Sequence, residues 1–282
     1  MSAHTDRALR TMCDEGNFRI LIANATDTAA KIIDAQKPDE DTAKILADIV
    51  TASILLRLTM SPDYRLQVIL QNRSRGTILS DSHPDGNTRG LVQSLGRGPI
   101  DTGASTYLSV HRSLFGGDIH QGVVETGEGQ SVADAVSGYL HRSEQITSVV
   151  DMGNHFDGEE LTFAGGYIVQ LLPTDDDVDH ATLALMTARL QNLPDVPKLF
   201  ASCDGSLDTV AEELFGPIDF KPLGTDDFHY GCTCSPERVL TALQTLSDAD
   251  IEELIADDDT LHVDCDYCGA VHDIEAAALR RS

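Results

Sequence analysis

Four of the six cysteines in this 282-residue chain crowd into its C-terminal end: Cys232-Thr-Cys234, thirty intervening residues, then Cys265-Asp-Tyr-Cys268. Without a secretory leader pattern, clustered thiols suit metal ligation or redox chemistry better than a disulfide framework. Four thiolates complete a tetrahedral zinc site with no ligand recruited from elsewhere, so one Zn²⁺ per chain is expected on Cys232, Cys234, Cys265 and Cys268. Cys-x2-Cys is the common half of a zinc knuckle, whereas Cys-x-Cys is tighter than the usual spacing of about two to four residues. His229, His262 and His272 lie near enough in sequence to replace a cysteine, although each reads more simply as a polar surface residue. Cys13 and Cys203 stand alone and read as small buried hydrophobes.

Such a quartet has two readings, an inert zinc staple and a redox switch. Zinc would tie residue 232 to residue 268, and a structural site of this kind is worth about 10–16 kcal/mol to a small domain. If oxidation joins nearest neighbours, both bridges are local and neither replaces that long-range constraint. The unit around the cysteines has little else to hold it. Its apolar residues are Val239, Leu240, Leu243, Leu246, Ile251, Leu254, Ile255, Leu261, Val263, Val271 and Ile274, with no Trp or Phe. A unit this small usually needs a metal or disulfides to fold. Oxidation would then unfold it and expose apolar surface.

The elements that must carry this centre suggest an α+β fold in three parts. Residues 1–175 read as a mixed α/β sheet domain. Residues 40–59 have apolar side chains at helical spacing, and Leu66, Val68 and Leu70 fall on one face of a strand beginning near Tyr64. Further strands are expected from Thr88, Ser105, Gly122 and Gly165, with a helix opened by Ser131 and Asp134 in a capping-box pattern. Without a regular βαβ rhythm, α+β is favoured over a doubly wound sheet. An acidic break at Asp175, Asp176, Asp177 and Asp179 opens residues 176–228, a helical linker with short amphipathic helices across 181–193 and 206–216. Helices this short are marginal alone, so their apolar faces need a partner. Residues 229–282 form the small zinc-binding unit, with helices starting near Ser235-Pro236 and at Ser247.

Charge removes several classes of partner. The chain carries 46 acidic against 20 basic residues, a formal charge of −26. Such a surface repels phosphate backbones and anionic lipid, so neither nucleic acid nor a membrane is an expected partner. From His229 onward twelve acids face three arginines, the wrong sign for a phosphate-binding zinc finger. No apolar run approaches the ~20 residues of a membrane span, and the cytoplasm is the expected compartment. An enzyme also finds little support, because no Gly-x-Ser-x-Gly elbow, phosphate loop or complete dinucleotide glycine motif occurs.

The ordered set GCTCSPERV from Gly231, IEELIADDD from Ile251 and VDCDYCG from Val263 is highly specific. With QGVVE from Gln121, YLHRSEQ from Tyr139 and AGGYIVQLLP from Ala164, it makes the chain resemble the Hsp33 redox-regulated molecular chaperones over roughly residues 18–275. The stretch GAVHDI after Cys268 departs from that pattern, lacking the aromatic pair common there. The resemblance implies an ATP-independent holdase, inactive when reduced and zinc-bound. It implies activation through disulfides Cys232–Cys234 and Cys265–Cys268, with zinc release, linker unfolding, binding of unfolding clients and homodimerisation. Residues 1–175 would then serve substrate binding and dimerisation, and Glu144 and Arg238 become candidate interdomain contacts. The competing reading is a constitutive protein-interaction module with a purely structural zinc site.

Under the holdase reading the acidity gains a role, since strong net charge keeps an opened form and its client complexes soluble. Self-repulsion in the acidic C-terminal unit would also favour opening once zinc leaves. High ionic strength is therefore expected to slow oxidative activation, whereas an unchanged rate would reduce the acidity to surface composition.

Overall fold

The computed structural model describes residues 6–13, 17–113, 117–172, 180–256 and 259–279, and the expected acidic break at 175–179 lies outside them. The chain divides into two compact units, Met1–Tyr230 and Gly231–Ser282. Along the first unit run β1 (Arg7–Cys13), β2 (Phe18–Asn24), α1 (Thr26–Gln36), α2 (Glu40–Leu58), β3 (Arg65–Asn72), β4 (Gly76–Ser82), β5 (Asn87–Ser94), β6 (Thr106–Ser113) and β7 (Ile119–Thr126). Then come α3 (Val132–Tyr139), a π-helical turn (Leu140–Glu144), β8 (Ser148–Asp157), β9 (Glu160–Leu171), α4 (His180–Leu190), α5 (Val196–Ser202), α6 (Leu207–Phe215), β10 (Lys221–Asp227) and β11 (His229–Tyr230). The second unit holds α7 (Pro236–Leu243), α8 (Asp248–Leu254), β12 (Thr260–Asp264), β13 (Val271–Glu275) and α9 (Ala276–Leu279). The fold is α+β, as the sequence suggests.

Among the described residues the first unit has a five-stranded sheet ordered β10-β1-β2-β9-β8 and a six-stranded sheet ordered β11-β5-β4-β3-β6-β7. Helix α2 packs on β3 and β4 of one and on β2, β8 and β9 of the other. Fourteen of its nineteen residues are buried, so its apolar side chains spread around the helix instead of forming one stripe. Asp39 caps it, accepting from the Thr42 N–H at 3.0 Å. Leu66, Val68 and Leu70 of β3 are fully buried, and the Ser131–Asp134 capping box opens α3.

Strand β2 is apolar on both faces. Leu21 and Ala23 join the core around α2, while Phe18, Ile20 and Ile22 join a second core with Leu9, Tyr167 and Val169. Helices α4–α6 cover that second face with Met186, Val196, Leu199, Phe200, Val210, Leu214 and Phe215. Phe200 meets Phe163 at 4.9 Å between ring centroids, and Phe215 stacks on Phe220 at 4.4 Å. Arg189 of α4 donates to the Glu213 carbonyl and carboxylate of α6. Cys13 and Cys203 are buried in the same core.

Two elements here escape a periodicity reading. Helix α5 has only seven residues, set by Asp195, which accepts from the Lys198 N–H at 3.1 Å, and by Pro197 in its first turn. Strand β10 is polar and pairs antiparallel with β1. Its cross-strand partners are charges, with Arg7 Nε 3.2 Å from Asp227 Oδ1 and Arg10 Nε 2.9 Å from Asp226 Oδ2. No helix among the described residues is long and apolar enough to cross a membrane.

The six-stranded sheet is tied across three strands by Asp81, whose side chain is fully buried. Arg65 donates from Nε to Oδ1 at 2.7 Å and from Nη2 to Oδ2 at 2.8 Å, Arg89 Nε donates to Oδ2 at 3.0 Å, and His83 Nε2 lies 3.1 Å from Oδ2. Burial alone would raise the Asp81 pKa, but hydrogen bonds and charge from His83 and Arg65 outweigh it and hold the carboxyl well below the usual range. Its contribution is fully present above the unfolded carboxylate pKa and is lost as the pH falls toward the depressed folded value. Asp81→Asn is expected to cost about 3–5 kcal/mol at neutral pH by denaturant unfolding, with a smaller difference in acid.

Candidate metal centre

Two short segments of the second unit bring the cysteines together. Cys232 and Cys234 lie in an extended stretch ended by the Ser235 N-cap of α7, whose side chain accepts from the Arg238 N–H at 3.3 Å, with Pro236 in the first turn. Cys265 and Cys268 sit at the tip of the β12–β13 hairpin. There the Cys265 N–H donates to the Ala270 carbonyl at 2.9 Å, while the Cys268 and Gly269 N–H groups return to the Cys265 carbonyl at 3.2 and 2.7 Å. Gly269 adopts φ +69°, the left-handed conformation that lets this knuckle close without a Cβ clash.

The four Sγ atoms lie within 4.8 Å of one another. Cys232 and Cys265 are 3.7 Å apart and Cys234 and Cys268 3.5 Å, all four being half-buried. Metal–sulfur bonds of about 2.3 Å in a tetrahedron place sulfurs roughly 3.8 Å apart, so the donor set fits a zinc-sized ion. Burial disfavours the Cys232 thiolate, but hydrogen bonds from the Cys234 backbone and the other thiols outweigh it and lower its pKa to about 7. Burial and competition with that charge push Cys234 up, and burial leads the rise at Cys268. Cys232 therefore ionises at the expense of Cys234 and Cys268, and a divalent cation would relieve that competition by stabilising the thiolates together.

His262 and His272 stand apart from the sulfur cluster. The His262 Nδ1 lies 2.7 Å from Asp273 Oδ1 across the hairpin, and the His272 Nε2 is buried without a hydrogen-bond partner. His229 belongs to β11 in the first unit. The Arg238 guanidinium donates from Nη1 to the Thr233 carbonyl at 2.8 Å, bracing the Cys-x-Cys turn from inside its own unit. Glu144 has partners in the first unit, accepting from Arg112 Nη1 at 2.9 Å and from the Tyr139 hydroxyl at 2.6 Å. The Arg238 brace is a role that residue spacing alone did not suggest; its position four residues after Cys234, past a helix start, was the available signal.

The core under this centre is small. Ile251, Ile255, Ile274, Ala276 and Leu279 are buried, while Leu254 and Val271 are 44% and 59% exposed. Four large side chains at about 1.5–3 kcal/mol each contribute no more than a single structural zinc ion does. Cys234→Ser is expected to weaken zinc binding by at least tenfold in a chelator competition; an unchanged affinity would show that Cys234 is not a ligand. Arg238→Ala should loosen the Cys-x-Cys turn and accelerate zinc loss to chelator severalfold, with zinc stoichiometry unchanged.

Comparison with known proteins gives the family. A family model described as Hsp33 protein matches residues 6–275. The chain is 27% identical to the 33 kDa chaperonin of Streptococcus gordonii over 280 residues, covering 93% of each protein, and 26% identical to that of Streptococcus pyogenes serotype M12 over 288 residues, covering 97% of each. The crystal structure of the 33 kDa chaperonin (heat shock protein 33 homolog) from Thermotoga maritima superposes with a TM-score of 0.80 at 22% identity, over 98% of this chain and 96% of that one, which shows a shared fold. On the family match across nearly its whole length, the chain belongs to the Hsp33 protein family.

Proposed function

We propose that this protein is a chaperone of the holdase kind, as the names of its 33 kDa chaperonin relatives support, and that its activity is set by the redox state of the cysteine quartet. The observation that carries the reading is the convergence of four half-buried thiols in a unit whose fully buried core is five side chains, with Val239, Leu240, Leu243, Leu246, Leu261 and Val263 only partly covered. In the reduced protein Cys232, Cys234, Cys265 and Cys268 would hold one Zn²⁺, which supplies a crosslink between two segments and keeps the thiolates occupied. Hydrogen peroxide is a sufficient oxidant. Two disulfides form from four thiolates, four electrons pass to two peroxide molecules, and with four protons taken up four waters and one Zn²⁺ leave. Disulfides Cys232–Cys234 and Cys265–Cys268 are the pairing that family membership suggests.

The three-part division at 1–175, 176–228 and 229–282 supplies the output. Helices α4–α6 form the linker and release an apolar sheet face together with their own apolar faces, to which unfolding clients bind without chemical turnover. The opened form would dimerise, and the compartment would be the cytoplasm. A constitutive interaction module with a structural zinc site is the rival reading, because structural zinc sites share the same sulfur geometry.

One sample decides between the two. Zinc content and suppression of client aggregation are measured before and after oxidant with mild heat. About one zinc per chain and no suppression when reduced, then zinc loss with suppression when oxidised, is the expected result. Equal suppression with zinc bound, or inert protein after oxidation, removes the switch. A charge-conserving check is Phe215→Ala, expected to cost about 3–5 kcal/mol in the α6 packing and to lower the oxidant dose needed for activity.

A further inference from the structure

A cavity of 330 Å³ lies between α5 and the five-stranded sheet, at the lower end of the range of about 300–1,000 Å³ for small-molecule sites. Phe163 of β9 and Phe200 of α5, their ring centroids 4.9 Å apart, line it side by side, together with Pro197 and Ala201 of α5. Phe163 and Phe200 present tilted rings, with an interplanar angle of 52°. The rim is polar: His155 comes from β8, and Asp204 from the turn that ends α5. Asp204 is exposed and sits at φ +50°, in a left-handed turn in which Gly205 follows at φ +72°, and both residues line the cavity. Among the described residues no hydrogen bond or ion pair engages that carboxylate.

We propose that this cavity is a binding site for small organic cations with an apolar, aromatic body. The aromatic and prolyl walls take the body, and Asp204 meets the ammonium group at the rim. The sign follows from that unpaired carboxylate and from the field of a chain carrying −26, which concentrates cations and repels carboxylates. Because α5 and the turn after it supply half of the lining and the strands with the start of α1 supply the rest, a molecule seated there binds only while α5 is docked. On the reading of α4–α6 as a releasable linker, such a ligand raises the threshold for opening, by the ordinary linkage between binding and a conformational equilibrium. The site thus gives the chain a second input that acts at the linker and not at the thiols.

The test uses the reduced, zinc-loaded full chain and the probe 4-phenylbutylamine, with 4-phenylbutyrate as the charge-reversed control. Titration by NMR or calorimetry should show saturable binding of the amine, about tenfold tighter than the carboxylate. Ala201→Phe places a ring into the cavity from an exposed helix position and should abolish binding. Asp204→Asn keeps a residue that tolerates the left-handed turn and should bring amine and carboxylate to within about twofold. No saturable binding, or binding that survives Ala201→Phe with the fold intact by circular dichroism, overturns the site; equal affinity for both probes overturns the cation assignment. For the regulatory part, proteolysis of residues 180–218 under oxidant should slow about elevenfold at amine concentrations ten times the measured Kd. An unchanged rate overturns that part. Should oxidation fail to open the protein at all, the switch fails, while the titrations on the reduced chain still decide the site.

Discussion

A sheet that is apolar on both faces must be covered on both, and the first unit is organised around that requirement. Strand β2 sends Leu21 and Ala23 to one side and Phe18, Ile20 and Ile22 to the other. The first side is closed by α2, itself buried and backed by a second sheet. The second side is closed by α4, α5 and α6, which are short and expose much of their outer surface. The two covers differ in what they would lose on leaving. Helix α2 is nineteen residues of continuous contact, while seven-residue α5 and nine-residue α6 depend almost wholly on the sheet beneath them. Under the proposed function that asymmetry selects the element that is released.

The second unit meets the same need for cohesion with a different currency. Its helices and hairpin bury few large side chains, and its surface is acidic. Cys232, Cys234, Cys265 and Cys268 converge there, and under the proposed function a bound ion would substitute chelation for core. Metal ligation would then suit a unit that has to open on oxidation, because hydrophobic burial is insensitive to oxidants whereas thiolate ligands are consumed by them. Cys232 is lowered to about 7 while Cys234 and Cys268 are pushed up, the competition expected of thiols packed together without a counter-charge.

Local burial also governs groups remote from the centre. Helix α1 begins at Ala25 without a side-chain cap of its own. Asp6 supplies one from the start of β1, its Oδ1 and Oδ2 accepting from the Asp27 and Thr28 N–H groups at 3.0 and 2.5 Å, and burial pushes its carboxyl up to about 6. Asp81 experiences comparable burial with the opposite result, because cations surround it. The same side chain in the two settings titrates on opposite sides of its ordinary range, and the partner set decides which.

Much of this was legible in the residues. The cysteine spacing picked out the four thiols that the fold brings together, the apolar run expected at 40–59 marked the buried helix, and the Ser131, Ser206, Ser235 and Ser247 caps placed helix starts, because each of these signals is local and repeats a period or a spacing. What the sequence could not decide was pairing across distance. Strand β10 pairs Asp227 with Arg7 directly across and Asp226 with Arg10 diagonally, more than two hundred residues away, and carries no alternation of its own. The cap of α1 arrives from Asp6, the charge state of Asp81 from Arg65 and Arg89 on two neighbouring strands as well as nearby His83, and the cavity beside Asp204 exists only where α5 meets β9. Periodicity and spacing are properties of one stretch of chain, whereas registers, third-party caps and voids are set by which stretches meet, and that is fixed only when the apolar faces find their covers.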